Sequence, residues 1–302
     1  VQMKEVIILY GGNSDESQIS ELTANSINKH IDREIFLPTL LNLNDFKVNK
    51  IDKNSIVFIA IHGVGGEDGE IQKILNEQAI TFTGSDQKSC ENCWNKIQSK
   101  KILIENQLPT PEYIVSSQNM KIDPDTDFLN YQGGFFVKPN CNGSSLGISK
   151  IKNKGKLKDA IAFANKFSQE VLIEKAYNDS EYTVGILNGK ALEPLQILPD
   201  SNRSFYDYTA KYESAKTKKT LLNDQDLKDE LKNIALKAFF SHGCRIWGRV
   251  DFVFDGKNLG ILEINTVPGF TEKSLFPLAA KESGINYQEL ITMIIEGSIK
   301  ET

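Results

Sequence analysis

Residues 248–269 read G-R-V-D-F-V-F-D-G-K-N-L-G-I-L-E-I-N-T-V-P-G, a pattern that two half-buried strands joined by a turn account for. Side chains two apart on a strand share a face, so Arg249, Asp251 and Val253 point one way and Val250, Phe252 and Phe254 the other. In the second strand Ile261, Glu263 and Asn265 share a face, opposite Gly260, Leu262 and Ile264. The Asp255-Gly256 turn joins them. An odd-numbered loop closed between Asp255 and Leu259 sets Asp251 opposite Glu263 and Arg249 opposite Asn265. Facing carboxylates repel, and a ladder that carries them calls for a cation between them. Oxygen ligands from Asp, Glu and Asn suit Mg2+ or Mn2+, hard ions that keep waters and bridge phosphates. The competing reading is a solvated edge hairpin whose charges face water. Arg249, Asn265 and the Thr266 to Gly269 turn weigh against it.

The surrounding chain has 302 residues, enough for two or three compact units with a large core. Its 35 Lys and Arg against 40 Asp and Glu give a net charge of -5, which argues against a nucleic-acid binder held by bulk basic charge. No apolar run approaches membrane-spanning length, and the opening residues read as a strand followed by a glycine turn. A cytoplasmic enzyme with no membrane or nucleic-acid partner is the expectation. Four cysteines are too few for a disulfide scaffold. Cys90 and Cys93 form a C-E-N-C pair suggestive of redox or zinc chemistry, but no second pair or His cluster completes a zinc site.

The first third alternates strands with helices: Val6 to Tyr10, a helix from Ser17 to His30, then apolar runs at Phe36 to Leu41 and Ile56 to Ile61. That order implies a parallel sheet covered on both faces, with ligands beyond the carboxyl ends of its strands. Two loops lie there. In G-G-N-S-D-E-S-Q-I-S, from Gly11 to Ser20, Ser14 is placed to cap the helix and Glu16 falls in its first turn. In H-G-V-G-G-E-D-G, from His62 to Gly69, the glycines imply close backbone approach to a ligand or another segment. From Trp94 the pattern changes to one amphipathic helix ended by Pro109 and Pro111. Next, G-G-F-F-V-K-P-N-C-N-G-S-S-L-G-I-S-K-I, from Gly133 to Ile151, places two strands around a loop whose N-H groups and hydroxyls can surround a phosphate, with Lys138 on the preceding strand. It lacks the Gly-Lys-Ser/Thr and following helix of a Walker A loop. The strand ending at Glu174-Lys175 could present its groups to a nucleobase, Glu174 to an exocyclic amine and Glu181 to a ribose. A polar stretch from 199 to 220 carrying S-F-Y-D-Y-T-A-K-Y-E-S reads as a lid.

Taken together these segments resemble the ATP-grasp superfamily and, within it, the D-alanine:D-alanine ligases, over almost the whole chain. Four motifs carry the resemblance: G-G-x-S-x-E-x-x-x-S at Gly11 to Ser20, H-G-x-x-G-E-D-G at His62 to Gly69, K-P-x-x-x-G-S-S-x-G at Lys138 to Gly147, and R-V-D with E-x-N-T-x-P-G at Arg249 to Gly269. The resemblance implies an α/β chain in three parts: an N-terminal parallel-sheet domain over 1–93, a central ATP-grasp lobe over 94–178, and a C-terminal lobe over 179–302, the two α+β lobes clamping ATP. It implies a homodimer that makes D-alanyl-D-alanine for peptidoglycan through a D-alanyl phosphate.

The same resemblance distributes roles. Lys96 and Lys138 neutralise ATP phosphates under the Gly143, Ser144, Ser145 loop; Glu174, the backbone at Lys175 and Tyr177, and Glu181 hold adenine and ribose. Asp251, Glu263 and Asn265 bind two Mg2+ or Mn2+ ions. Arg249 with the Gly269 N-H stabilises the oxyanion. Glu16 pairs with the first D-alanine's ammonium, linked to Ser144 and Tyr212 with His62 nearby, and Lys211, Ser274 and Leu275 take the second D-alanine's carboxylate. Asn140-Cys141-Asn142 departs from the more usual charged pair in the loop. Two alternatives stay open: a D-alanine:D-lactate ligase, which Tyr212 after Lys211 disfavours, and a non-catalytic nucleotide-binding protein, disfavoured by the presence of Lys138, Arg249, Asp251 and Glu263 together.

Overall fold

The computed structural model describes residues 3–117, 122–123, 126–143, 146–198 and 218–300. Its first sheet is parallel in the order β2-β1-β3-β4, built from β1 (Lys4–Tyr10), β2 (Phe36–Asn42), β3 (Ile56–Ile59) and β4 (Thr81–Phe82). Helices α1 (Ser17–His30) and α2 (Glu70–Glu77) form its crossovers. All four residues of β3 are buried, as expected of a parallel strand covered on both faces.

The helix expected from Trp94 begins just after Asn95, and a separate helix precedes it. Helix α3 (Gln87–Trp94) ends at Asn95, whose side chain accepts the Gln98 N-H and starts α4 (Lys96–Glu105). Asn at this position closes one helix and caps the next. A second, antiparallel sheet follows in the order β5-β8-β6-β7, from β5 (Tyr113–Ser116), β6 (Phe135–Pro139), β7 (Ser149–Ile151) and β8 (Val171–Lys175), with α5 (Leu157–Ala164) packed on it.

The third sheet runs β12-β11-β9-β13-β14, with β10 (Lys190–Ala191) paired to β9. Its strands are β9 (Ser180–Leu187), β11 (Leu195–Leu198), β12 (Lys218–Leu221), β13 (Trp247–Phe254) and β14 (Leu259–Asn265), with α6 (Gln225–Ser241) against one face. Residues 218–220, the end of the expected lid, belong to β12; the remainder of that segment lies outside the described residues.

Helices α7 (Leu275–Glu282) and α8 (Tyr287–Lys300) return to the first sheet. Phe276, Ile291 and Ile294 share one buried cluster with Ile8, Phe58 and Leu75. Trp247, the first residue of β13, packs its ring against Phe58, Phe270 and Phe276 at centroid distances of 6.1, 5.1 and 5.3 Å. The strand that carries Arg249 and Asp251 is thereby anchored to the first sheet. Among the described residues no helix is long and apolar enough to cross a membrane.

The C-E-N-C pair does not close on itself. Cys93 Sγ lies 3.5 Å from Cys244 Sγ, both thiols buried, while Cys90 Sγ donates to the Ser85 carbonyl. Burial pushes the Cys90 and Cys93 thiols up and disfavours the reactive thiolate. Cys141 is the half-buried one. A thiol-specific reagent at neutral pH is expected to label Cys141 first and reach the other three only after denaturation; mass spectrometry of the early product checks this.

Candidate active site

Strands β13 and β14 pair with Arg249 opposite Asn265 and Asp251 opposite Glu263, as the alternation implies, but by a different route. The loop is even: Phe254 pairs with Leu259 around Asp255 to Asn258, and the Asp255 N-H donates to the Asn258 carbonyl at 3.2 Å. The register then slips between Asp251 and Phe252, where Leu262 is the extra residue of a β-bulge. The bulge restores the pairing of the two acids. It also corrects the expected face of Ile261, which is buried in the cluster of Phe252 and Ile264, while Leu262 lines the cleft.

The cleft in front of this hairpin encloses about 630 Å3. Residues of the second and third sheets line it together with loops and helices that follow the first sheet's strands, among them Glu16, His62, Lys96, Lys138, Gly143, Glu174, Tyr177 and Glu181, facing Arg249, Asp251, Glu263, Asn265, Gly269, Ser274 and Leu275. Ser144, Ser145, Lys211 and Tyr212 lie outside the described residues. Lys175 is not brought in: its Nζ pairs with Glu112 at 2.7 Å over the Phe128 and Tyr131 rings, and its N-H donates to the Glu112 carbonyl.

Asp251 accepts four hydrogen bonds from three side chains. The Arg249 guanidinium grips it with Nε to Oδ1 at 2.8 Å and a terminal nitrogen to Oδ2 at 2.7 Å, Thr183 donates to Oδ1 at 2.6 Å, and the Asn265 amide donates to Oδ2 at 3.0 Å. Thr183 sits on β9 directly across from Asp251, and sequence spacing gives no hint of it. Among the described residues Glu263 forms no ion pair.

At the opposite wall Glu174 lies between two lysines, Lys100 Nζ at 2.6 Å and Lys138 Nζ at 2.8 Å. The three are only 1, 2 and 6% exposed. Burial alone would raise the Glu174 carboxyl, but the two ammonium groups hold it below its usual range. Its carboxylate is therefore paired with a lysine on each oxygen, at a position that lines the cleft. Two cations on one anion leave a net positive charge facing the cleft through Lys138, a fit for phosphate.

The loop after β6 is held by its asparagines. Asn140 accepts the Ile97 N-H at 2.9 Å and donates to Glu170 at 3.0 Å, and Lys96 Nζ donates to the Asn142 carbonyl at 2.7 Å. These bonds tie the loop to the N-terminus of α4.

The two N-terminal loops close the far end. Glu16 occupies the N-cap position of α1 with no side-chain cap bond, and Ser14 is not a cap: its hydroxyl donates to the His62 carbonyl at 3.0 Å. A Cβ at Gly63 or Gly143 would stand 2.6 or 2.8 Å from Glu16 Oε2, so both glycines leave the room its carboxylate fills. His62 spends both ring nitrogens on protein. Nδ1 donates to the Val267 carbonyl at 3.0 Å and Nε2 accepts from the Thr23 hydroxyl at 2.9 Å. These two bonds fix His62 against the Thr266 to Gly269 turn.

The family model "D-ala D-ala ligase C-terminus" matches residues 102–296. A curated D-alanine-D-alanine ligase from Vesicomyosocius okutanii is 41% identical, covering 96% of this chain and 99% of its own. The chain belongs to the D-alanine-D-alanine ligase family. A second such ligase, from Saccharophagus degradans, is 37% identical over 96% of this chain and 92% of its own. Among solved structures, D-alanine-D-alanine ligase from Bacillus anthracis superposes with a TM-score of 0.89 at 31% identity, covering 99% of this chain and 98% of that one. The same enzyme complexed with ATP gives 0.87 at 28% identity, with the same coverage.

In this ligase-family cleft the donor set of Asp251, Glu263 and the Asn265 amide oxygen is all hard oxygen, which fits a divalent cation and no soft metal. The Arg249 fork now neutralises Asp251. Among the cations that the sequence did not reveal are Lys100, buried behind the cleft wall, and Lys219, which lines the cleft. Lys100 lies on the buried stripe with Ile97 and Leu103, a helical spacing that could have flagged it. Lys219 on β12 donates to the Lys273 carbonyl at 2.8 Å, and burial with the nearby Arg249 charge lowers its pKa.

Proposed function

We propose that this chain joins two D-alanines to D-alanyl-D-alanine at the expense of ATP, supplying peptidoglycan precursors. The observation that carries the reading is one cleft with opposed walls: a cationic wall at Lys138 and Lys96, and the Asp251, Glu263, Asn265 oxygen set facing it. Family membership over nearly the full chain supports the substrate.

The carboxylate of the first D-alanine attacks the γ-phosphorus of ATP, and ADP leaves. Glu16, filling the space beside Gly63 and Gly143, takes that amino acid's ammonium. The amine of the second D-alanine then attacks the acyl carbon, its carboxylate held by Ser274, the Leu275 N-H and Lys211. The Gly269 N-H and Arg249 face the oxyanion of the tetrahedral adduct, a preorganised set of donors. Collapse expels phosphate, and the new amide loses the amine's proton. Asp251, Glu263 and Asn265 would hold two Mg2+ or Mn2+ ions, which offset phosphate charge and align the transfer. Ser144, Ser145 and Tyr212 belong to the same reading: the two serines close the phosphate loop, and Ser144 and Tyr212 complete the network around Glu16. The division at 93 and 178, homodimer formation and a cytoplasmic location are part of the proposal.

One assay tests the function. Phosphate release from ATP with Mg2+ is expected only when D-alanine is present, with one D-alanyl-D-alanine formed per phosphate. D-lactate added alongside is expected to yield no depsipeptide. Release that ignores D-alanine would refute the ligase; depsipeptide as the main product would favour the D-lactate alternative.

A further inference from the structure

Lys100 has no part in the roles set out above, yet it is a lysine with almost no exposure, four residues into α4 after Lys96. Its Nζ meets Glu174 at 2.6 Å, the Thr110 hydroxyl at 2.6 Å and the Pro111 carbonyl at 3.2 Å, and it stands 5.3 Å from the Tyr113 ring centroid. Thr110 in turn donates to the Ile261 carbonyl at 2.9 Å, and the Ile261 N-H donates to Pro109 at 2.8 Å. One chain of contacts, buried from Lys138 to Lys100, therefore runs from Lys138 through Glu174, Lys100 and Thr110 to β14, ending beside the Leu262 bulge that sets Glu263 in register.

Burying an ammonium is costly, and burial pulls Lys100 below the ordinary lysine range despite its carboxylate neighbour. A lysine placed there for packing alone would be poorly chosen, since an apolar side chain fills the same volume without the penalty. What Lys100 alters is charge. With it, the triad is plus, minus, plus, and Lys138 keeps a surplus positive charge toward the cleft. Without it, Glu174 would cancel Lys138.

We infer that Lys100 is a positioning residue for nucleotide binding: it takes up the charge of Glu174 so that the Lys138 ammonium remains available to phosphate. The inference rests on the proposed role of the cleft in holding ATP.

Isothermal titration of ATP into the full chain, without D-alanine, reads the effect directly. Wild type is expected to bind; if it does not, the nucleotide reading itself fails. Given wild-type binding, Lys100→Met is expected to raise the ATP Kd by about tenfold or more, the range of a charge-assisted contact. The double variant Lys100→Met with Glu174→Gln removes the anion too and returns the surplus charge to Lys138. Its Kd is expected to return to within about threefold of wild type. A merely structural lysine gives no such rescue, because a second buried substitution would add to the damage. The double variant carries no buried Glu174 charge in need of a partner, so it stands as a test even if Lys100→Met alone fails to fold. Weak ATP binding by the double variant, or unchanged binding by the single one, overturns the inference.

Discussion

Glu263→Gln is expected to abolish dipeptide synthesis while leaving the fold as stable as before or slightly more so. The substitution keeps the shape and removes one of two carboxylates that face each other across the β13-β14 ladder. Like charges directly opposite on a sheet are destabilising, but the Arg249 fork already offsets Asp251, so the neutral amide relieves only about 0.2 kcal/mol of repulsion. The carboxylate is also one of the oxygens proposed to hold the divalent cation. Loss of that charge stabilisation is worth roughly 4 kcal/mol, or about 10^3 in rate. Thermal melting and steady-state turnover on the same preparation separate the effects. Near-normal turnover would remove Glu263 from the metal site, and a collapsed melting temperature would make it a structural residue.

Glu174→Gln is expected to do the opposite: damage the fold first. It leaves Lys100 and Lys138 buried and facing each other without their shared anion. Removing one partner from a buried ionic group costs about 3–5 kcal/mol, which urea denaturation at neutral pH would read as a lowered midpoint with an unchanged slope. Acid should mimic the substitution. The Glu174 carboxyl lies below its ordinary value in the folded chain. Its contribution is therefore full above the unfolded pKa, near 4.3, and is lost as pH falls through the lower folded value. Wild type should lose stability steeply below about pH 4, and the variant should lose less over the same interval. Equal acid sensitivity of the two would show that the triad carries no such linkage.

Local sequence periodicity carried the hairpin and the parallel first sheet, because alternation and helical spacing report which face a side chain takes, while most of the other cleft residues were legible only through the resemblance to the ligase family. It could not show an inserted residue. The facing of Asp251 and Glu263 was legible, but the even loop and the compensating bulge at Leu262 were not, since two opposite errors in counting give the same pairing. Contacts distant in the chain were hidden for a different reason. Nothing near Lys100 in sequence marks its partner 74 positions on at Glu174, nor does anything near His62 mark the Val267 carbonyl. Ser14 was read as a helix cap because local spacing favours that use, yet its hydroxyl is drawn to the neighbouring loop. In each case a tertiary partner outcompeted the local one.

In the proposed mechanism the cleft activates a D-alanine carboxylate as an acyl phosphate before the second amine attacks. D-alanine labelled with 18O in its carboxylate tests this directly, with the released phosphate analysed by mass spectrometry. One labelled oxygen in each phosphate formed with the dipeptide is expected, since the oxygen that attacks the γ-phosphorus departs with it. Unlabelled phosphate accompanying D-alanyl-D-alanine would contradict the account.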